Sequence, residues 1–326
     1  MSETLPSVTV LIAARPGQAT IKAVPASRVL DYPKEKLEII VARGRQPSAQ
    51  RNVGLRAARG DLIYFLDDDS VPRRENLRSA VRHFMRPEVQ MAGGPNTCPD
   101  DAPNLEKIFA LVLASWLAFG PSRARYSQVG EVRVTSEKEL ILCNLVARRQ
   151  ALQELGGFNE ALYPNEENAL MDELQKRGGK LIYDPGLIVA RRPRATLKAF
   201  AKMLRTYGRG RAEQFRLHPT FGSALNFVPP LFVVYLALAA LSLVTRPRVG
   251  LIVLLPLALY VVALLAQAAA LISRGGFVRS VAAIPLMGLS HVLYGIGFWR
   301  GLFTRLNASP NREKVPVELE YVVPEN

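Results

Sequence analysis

Apolar residues fall in short β-branched runs over the first two-thirds of the chain and in long unbroken tracts over the last third. Val8–Ala13, Leu37–Ala42, Leu62–Leu66 and Val89–Ala92 are the short runs, and Ser48–Ala58 and Arg74–Met85 between them read as helices. Strand–helix–strand alternation with nearly all-apolar strands predicts an α/β domain on a mostly parallel sheet covered on both faces. In such sheets ligands bind beyond the C-terminal ends of the strands. Charged residues that directly follow an apolar run are therefore the ones to examine.

From about Ala224 to Trp299 charge nearly vanishes. Ala224–Val244 and Val249–Ile272 are each long enough to cross a bilayer, which takes ~20 residues. Phe277–Trp299 is a weaker third, carrying His291 and several glycines. The pattern predicts a cytosolic domain over 1–193, a membrane anchor of two to three transmembrane helices over 224–299, and a polar, loosely held tail over 300–326. Three spans place the tail across the membrane, whereas Arg300, Arg305, Arg312 and Lys314 favour the cytosolic side. The apolar run near the N-terminus is too short and poorly flanked for a secretory signal, which keeps the first domain in the cytosol.

Residues 194–219 read as a basic amphipathic helix lying in the membrane interface. Leu197, Phe200, Leu204 and Tyr207 share one face, and Lys198, Lys202, Arg205 and Arg209 another. A helix packed on the sheet with a solvated basic face is the plainer alternative, and His218-Pro219 reads as its terminator. Ile108–Phe119 is apolar nearly all round but too short to span, so it is a core helix or an interfacial insertion able to line a lipid groove.

The net charge of +14 over 326 residues points to nucleic acid, an anionic inner leaflet or phosphorylated substrates. Nucleic acid is disfavoured, since neither an aromatic-studded basic sheet nor zinc-finger spacing occurs. Cys98 and Cys143 lack metal-ligand spacing and read as reduced, small apolar residues.

The most informative segment is Asp61-Leu-Ile-Tyr-Phe-Leu-Asp67-Asp68-Asp69, an apolar strand running into three acids. Adjacent carboxylates repel, and a divalent cation shared with nucleotide phosphates removes the conflict. On extended backbone Asp67 and Asp69 point to the same side. A solvated loop before Val71-Pro72 is the alternative.

Together with Ser48-Ala-Gln-Arg51-Asn52-Val-Gly54 and Ala57-Ala-Arg-Gly-Asp61, this segment resembles family 2 glycosyltransferases. These share A-R-N-x-G, then A-x-G-D/E, then a strand closing in D-x-D. The resemblance implies a GT-A fold, a nucleotide-sugar donor, Mg²⁺ or Mn²⁺ as cofactor, and inversion by direct displacement. It makes Asp67 and Asp69 the metal pair, and Arg51, Asn52, Asp67 and Asp68 donor-binding residues. Leu155-Gly-Gly-Phe-Asn-Glu160 followed by Asn165-Glu166-Glu167-Asn168 matches the register of the family's G-G-F-D/N-E segment and its E-D pair. By position Glu167 inherits the general base, and glutamate for aspartate there keeps Glu166 as the alternative. Acids in a first helical turn behind an Asn165 cap are also favoured by the helix dipole alone.

Two places depart from the family pattern. Arg43 stands where relatives carry an aspartate that contacts the nucleotide base, and the first strand ends Ala13-Ala14-Arg15-Pro16. Arg15 and Arg43 are then candidates for the donor's diphosphate. Residues 165–219 are similar to succinoglycan-type exopolysaccharide glycosyltransferases in NEENALM, GGKLIYDP, RPRATLKAFAK and YGRGRAEQFRLHP. That likeness implies a polyprenyl-diphosphate-linked saccharide acceptor at the cytosolic face of the inner membrane. It also offers Arg192, Arg194, Arg209 and Arg211 to donor or acceptor phosphates. Two rivals stand beside this reading: a polyprenyl-phosphate sugar synthase, and a catalytically silent partner protein that keeps the fold.

Overall fold

The computed structural model describes residues 5–160, 162, 165–217, 219, 221–304 and 316–324. His218 and Pro164 lie outside them. The chain divides into two compact units. One comprises Met1–Pro99, Pro121–Arg192 and Ala308–Asn326, the other Asp100–Gly120 and Pro193–Asn307.

The first unit alternates strands and helices: β1 (Val8–Ala14), α1 (Ala23–Arg28), β2 (Leu37–Arg43), α2 (Pro47–Ala57), β3 (Leu62–Asp67), β4 (Val71–Pro72), α3 (Asn76–His83), β5 (Val89–Gly93) and β6 (Asn96–Thr97). In the second unit α4 (Asn104–Leu113) and α5 (Trp116–Phe119) follow. The first unit then resumes with β7 (Arg133–Thr135), β8 (Asn144–Arg148), α6 (Arg149–Glu154), α7 (Glu166–Lys176), β9 (Lys180–Tyr183) and β10 (Val189–Ala190). α8 (Leu197–Leu217), α9 (Val228–Thr245), α10 (Pro247–Val253), α11 (Leu255–Gly275) and α12 (Phe277–Phe303) belong to the second unit, and β11 (Glu318–Val322) to the first.

Among the described residues an eight-stranded sheet runs β11-β2-β1-β3-β8-β5-β9-β7. β2-β1-β3 and β5-β9 pair in parallel, while β8, β7 and β11 join antiparallel. The apolar runs are unbroken because both faces are covered. Val10, Ile12, Ile39, Val41, Tyr64 and Leu66 enter one core cluster. Leu11, Ile40, Ala42, Ile63 and Phe65 enter the other. Chain order reverses about β1, with β2 on one side and β3 on the other, which opens a crevice at the strands' C-terminal ends. Among the described residues a second, three-stranded sheet runs β4-β10-β6.

The tail was expected to be loosely held, but its residues 318–322 pair along the β2 edge from Arg43 to Ile39. Val322 is buried there, and the strand covers an edge that would otherwise present unpaired amides.

In the second unit the Ile108–Phe119 tract is not one helix. It breaks between α4 and α5 with a 61° bend. The Leu117 N–H donates to Gln267 Oε1 at 3.1 Å, and the Leu117 carbonyl lies 3.0 Å from His291 Nε2. Side chains of α11 and α12 thus satisfy backbone groups next to the break. Phe200 and Leu204 of α8 are buried. Gly208 of α8 approaches the Tyr294 carbonyl, and Gly297 of α12 the Arg205 carbonyl, so closely that a Cβ at either would clash. Among the described residues three helices are long and apolar enough to cross a membrane: Ala224–Thr245, Pro247–Gly275 and Phe277–Phe303. Leu238, Leu241, Leu251, Ile252 and Leu255 on them are exposed, a surface suited to lipid.

Candidate functional site

β3 delivers the acids. Its pairing with β1 sets Asp67 opposite Ala13, at the C-terminal mouth of the parallel strands. The Ser70 N–H donates to the Asp67 carbonyl at 3.0 Å, closing a turn that carries Asp68 and Asp69. α2 is pinned across the same mouth by Gln50, whose amide donates to the Ala14 and Ala42 carbonyls at 2.7 and 2.6 Å. One helical step later Arg51 reaches two acids at once. Its Nη2 donates to Asp67 Oδ1 at 3.0 Å and its Nη1 to Glu166 Oε1 at 3.2 Å. The D-x-D segment and the acid pair at the start of α7 are therefore brought together through the arginine of Gln50-Arg51-Asn52-Val53-Gly54.

Asn52 turns the other way. Its amide oxygen accepts from the Phe158 N–H at 2.8 Å, and its Nδ2 donates to the Phe158 carbonyl and to Glu160 Oε1, each at 2.9 Å. Gly157, at φ +80°, leaves no room for a Cβ, which would stand 2.5 Å from Asn52 Oδ1. The G-G-F-N-E segment is thereby seated against α2, and Asn52 holds the approach to the acid pair.

Asn165 occupies the cap position of α7 at φ 97°, but its side chain caps nothing there. Its Oδ1 accepts from Asn168 Nδ2 at 2.9 Å instead, because a left-handed backbone turns the side chain from the helix amides. Gly178, at φ +86°, ends the helix, with the Gly179 N–H donating to the Leu174 carbonyl. Glu166 is 3 % exposed, and its Oε2 has no hydrogen-bond partner among the described residues. Burial, and then the neighbouring Glu167 charge, push its carboxyl up to about 7 against the pull of Arg51. Glu167 is half-buried.

The strongest hold on the D-x-D acids comes from a residue the sequence reading passed over. Arg191 Nε donates to Asp69 Oδ1 at 2.6 Å, and its Nη2 lies 3.1 Å from Asp67 Oδ2. A usable signal existed: Arg191 is the first charge after the apolar run Leu187–Ala190. Asp68 is bonded by Gln18, Nε2 to Oδ2 at 2.5 Å. Cys143 lies beneath, its thiol pushed by burial up to about 11.

Of the arginines expected at phosphates, Arg15 is exposed at the end of β1. Arg43 is engaged: Nη2 pairs with Glu320 Oε2 at 2.8 Å, and Nη1 donates to the Gln18 carbonyl at 3.0 Å. Glu320 comes from the far end of the chain, so nothing local announced it. Arg192 and Arg194 are exposed beyond β10. Arg209 and Arg211 belong to the second unit, where they bond Glu213 at 3.3 Å and Gln214 at 3.1 Å along α8.

Asp69 is bonded through one of its two oxygens, and its side chain is 43 % exposed. A carboxylate or two completed by substrate phosphate oxygens is how Mg²⁺ is commonly held, so the pair fits such an ion when the donor supplies the rest. Among the described residues no group of three or more His, Cys, Asp or Glu side chains is arranged to hold a metal without that help.

Comparison with known proteins agrees with this architecture. The chain is 30% identical over 173 residues to the pre-mycofactocin glycosyltransferase of two Mycobacterium tuberculosis strains, a match covering 53% of this chain. It spans about a third, 36%, of those relatives' length. Among solved structures it resembles a mannosyltransferase from Pyrobaculum calidifontis in complex with GDP-Man and Mn²⁺. That likeness has a TM-score of 0.53 at 17% identity and covers 91% of this chain and 87% of that one, which speaks to the GT-A fold. The model of glycosyl transferase family group 2 matches residues 62–272, from the D-x-D strand into α11 and well over half of the sequence, and the chain belongs to that family.

Proposed function

We propose that the protein is an inverting glycosyltransferase moving a sugar from a nucleotide-diphosphate donor to a polyprenyl-diphosphate-linked saccharide at the inner face of the cell membrane. The observation that carries this reading is the Arg51 bridge, which gathers Asp67 and Glu166 at the mouth of the parallel strands. Asp67 and Asp69 would hold Mg²⁺ or Mn²⁺ together with donor phosphates, and the bound ion supplies positive charge for the departing nucleotide diphosphate.

The acceptor hydroxyl must lose its proton as it attacks the anomeric carbon. Glu167 is suited to take it, being half-buried, so that its carboxylate is within reach of a bound acceptor. Glu166, tied to Arg51, positions the helix start. The bond to the donor's anomeric carbon forms as the bond to the diphosphate oxygen breaks, and the proton passes to the Glu167 carboxylate. Arg15 and Arg192 are the cations offered to diphosphate. The exposed cations on α8, Lys202 and Arg205, suit anionic headgroups, and the apolar helices suit a multi-pass anchor with the sheet unit in the cytosol.

A catalytically silent role has one observation in its favour, the engagement of Arg43 by Glu320 where a nucleotide base would be read. Product analysis separates these readings. Incubation with nucleotide sugars and polyprenyl-diphosphate saccharides is expected to lengthen the saccharide by a glycosidic bond. A sugar joined to polyprenyl phosphate by a phosphodiester would point to the synthase instead, and no product in folded protein to the silent role.

A further inference from the structure

The guanidinium of Arg191 sits in the cleft of the D-x-D pair, bonded at once to Asp69 Oδ1 and Asp67 Oδ2. With Arg51 on Asp67 Oδ1, both oxygens of Asp67 and one of Asp69 are claimed by guanidinium groups. We propose that Arg191 is the resident cation of the acidic pair: it occupies the carboxylates until the donor arrives, competes there with a free divalent ion, and then turns its fork to the donor's diphosphate. The inference rests on the donor reading given above.

Three observations support it. The first is how firmly the backbone is placed. β10 pairs with β4, which directly follows the acids, setting Ala190 opposite Val71. The Arg191 N–H donates to the Thr97 carbonyl at 2.9 Å. Asn76 bonds both backbone groups of Ile188, and Asn144 Nδ2 donates to the Leu187 carbonyl at 2.7 Å. A strand anchored on both sides does not wander, so any motion belongs to the Arg191 side chain.

The second is position: the Arg191 side chain is 22 % exposed, against 8 % for Arg51, so of the two guanidinium groups on the pair it is the nearer to solvent.

The third is charge. Asp67, Asp68 and Asp69 are consecutive, and a cation placed among them relieves their mutual repulsion. Arg191 supplies it at all times, since guanidinium does not deprotonate in proteins. A dication entering alone meets that fixed positive charge on the same oxygens. A dication arriving with a nucleotide diphosphate brings a new anionic partner for the displaced fork, whose planar donors match phosphate oxygens. Metal and donor are thereby expected to bind together.

The test measures Mn²⁺ binding to the full-length, detergent-held protein by the paramagnetic resonance signal of free Mn²⁺, with and without UDP or GDP. In donor-free protein Arg191→Met is expected to tighten Mn²⁺ binding by about tenfold or more, as removing one nearby like charge should, and to weaken binding of the nucleotide diphosphate. Damage to the site would loosen both, so tightening of the metal alone identifies a competitor. Should Arg191→Met fail to fold, Arg191→Lys keeps the charge but loses the fork, and is expected to shift both affinities in the same directions by less. Mn²⁺ affinity equal to wild type in the folded variant would overturn the proposal. If Mn²⁺ tightens but neither protein binds UDP or GDP, the competition stands and the donor reading fails. If the nucleotides bind and Mn²⁺ affinity is unmoved, the donor reading stands and the role of Arg191 fails.

Discussion

Side by side at the start of α7, Glu166 and Glu167 experience different surroundings. Glu166 is enclosed, bonded by Arg51 and raised toward neutrality, whereas Glu167 stays half-buried. Replacing Glu167 by Gln removes the proposed base while keeping its shape. Turnover should fall by about 10²–10⁴-fold, the usual worth of general base catalysis, with donor affinity preserved. A variant of unaltered turnover would move the base elsewhere. Glu166 is read out by pH. Its folded carboxyl is raised from 4.5 to about 7, so the folded state holds that proton more tightly than the unfolded chain. The stability it contributes is complete below about 4.5 and is lost as pH rises through about 7. Urea midpoints of Glu166→Gln should therefore decline less than wild type across that interval, and identical profiles would refute the buried, raised carboxyl. The acids, Arg51 and the glycines were legible in the sequence because each belongs to a local pattern. Gln18 and Glu320 were not, because their partners lie 50 and 277 residues away, and for Arg191 only its place after an apolar run was legible, its partner Asp69 lying 122 residues back.

The parallel strands β1, β2, β3 and β5 were legible from unbroken apolar runs, since burial on both faces leaves no polar alternation. β8 was not, although it pairs with both β3 and β5. Its Asn144-Leu-Val-Ala-Arg148 carries Asn144, buried and hydrogen-bonded to Tyr64, which breaks the apolar signature. β11 reads as Glu-Leu-Glu-Tyr-Val, an edge strand with polar residues facing solvent, and only its partner β2 explains why it forms. Deleting residues 318–326 should cost the sheet unit about 1.5–3 kcal/mol, the burial of a side chain such as Val322. It should also promote association through the bared β2 edge. A urea midpoint and solution size equal to the full chain would show that β11 holds nothing. The α4–α5 break was equally hidden, because the groups that satisfy it, Gln267 and His291, lie more than a hundred residues on.

The whole molecule comprises a charged α/β unit and a unit of apolar helices whose exposed side chains include many leucines, isoleucines and valines. The hydropathy pattern did not foretell that residues 100–120 group with the helical unit, or that the end of the chain groups with the sheet. Apolar length is a local signal, whereas unit membership depends on contacts made far along the chain. Flotation with vesicles should carry the full chain upward and keep it there in high salt, because burial of apolar helices is not screened as surface charge is. Release by salt alone would mean attachment through basic residues only. The central claim, a nucleotide-sugar transferase, is tested most directly by titrating the folded protein with UDP-, GDP- and dTDP-sugars by calorimetry, with and without Mn²⁺. Saturable binding of one nucleotide class, strengthened by Mn²⁺ and lost in Asp69→Asn, is the predicted result. Absence of binding to every class by folded protein would contradict it.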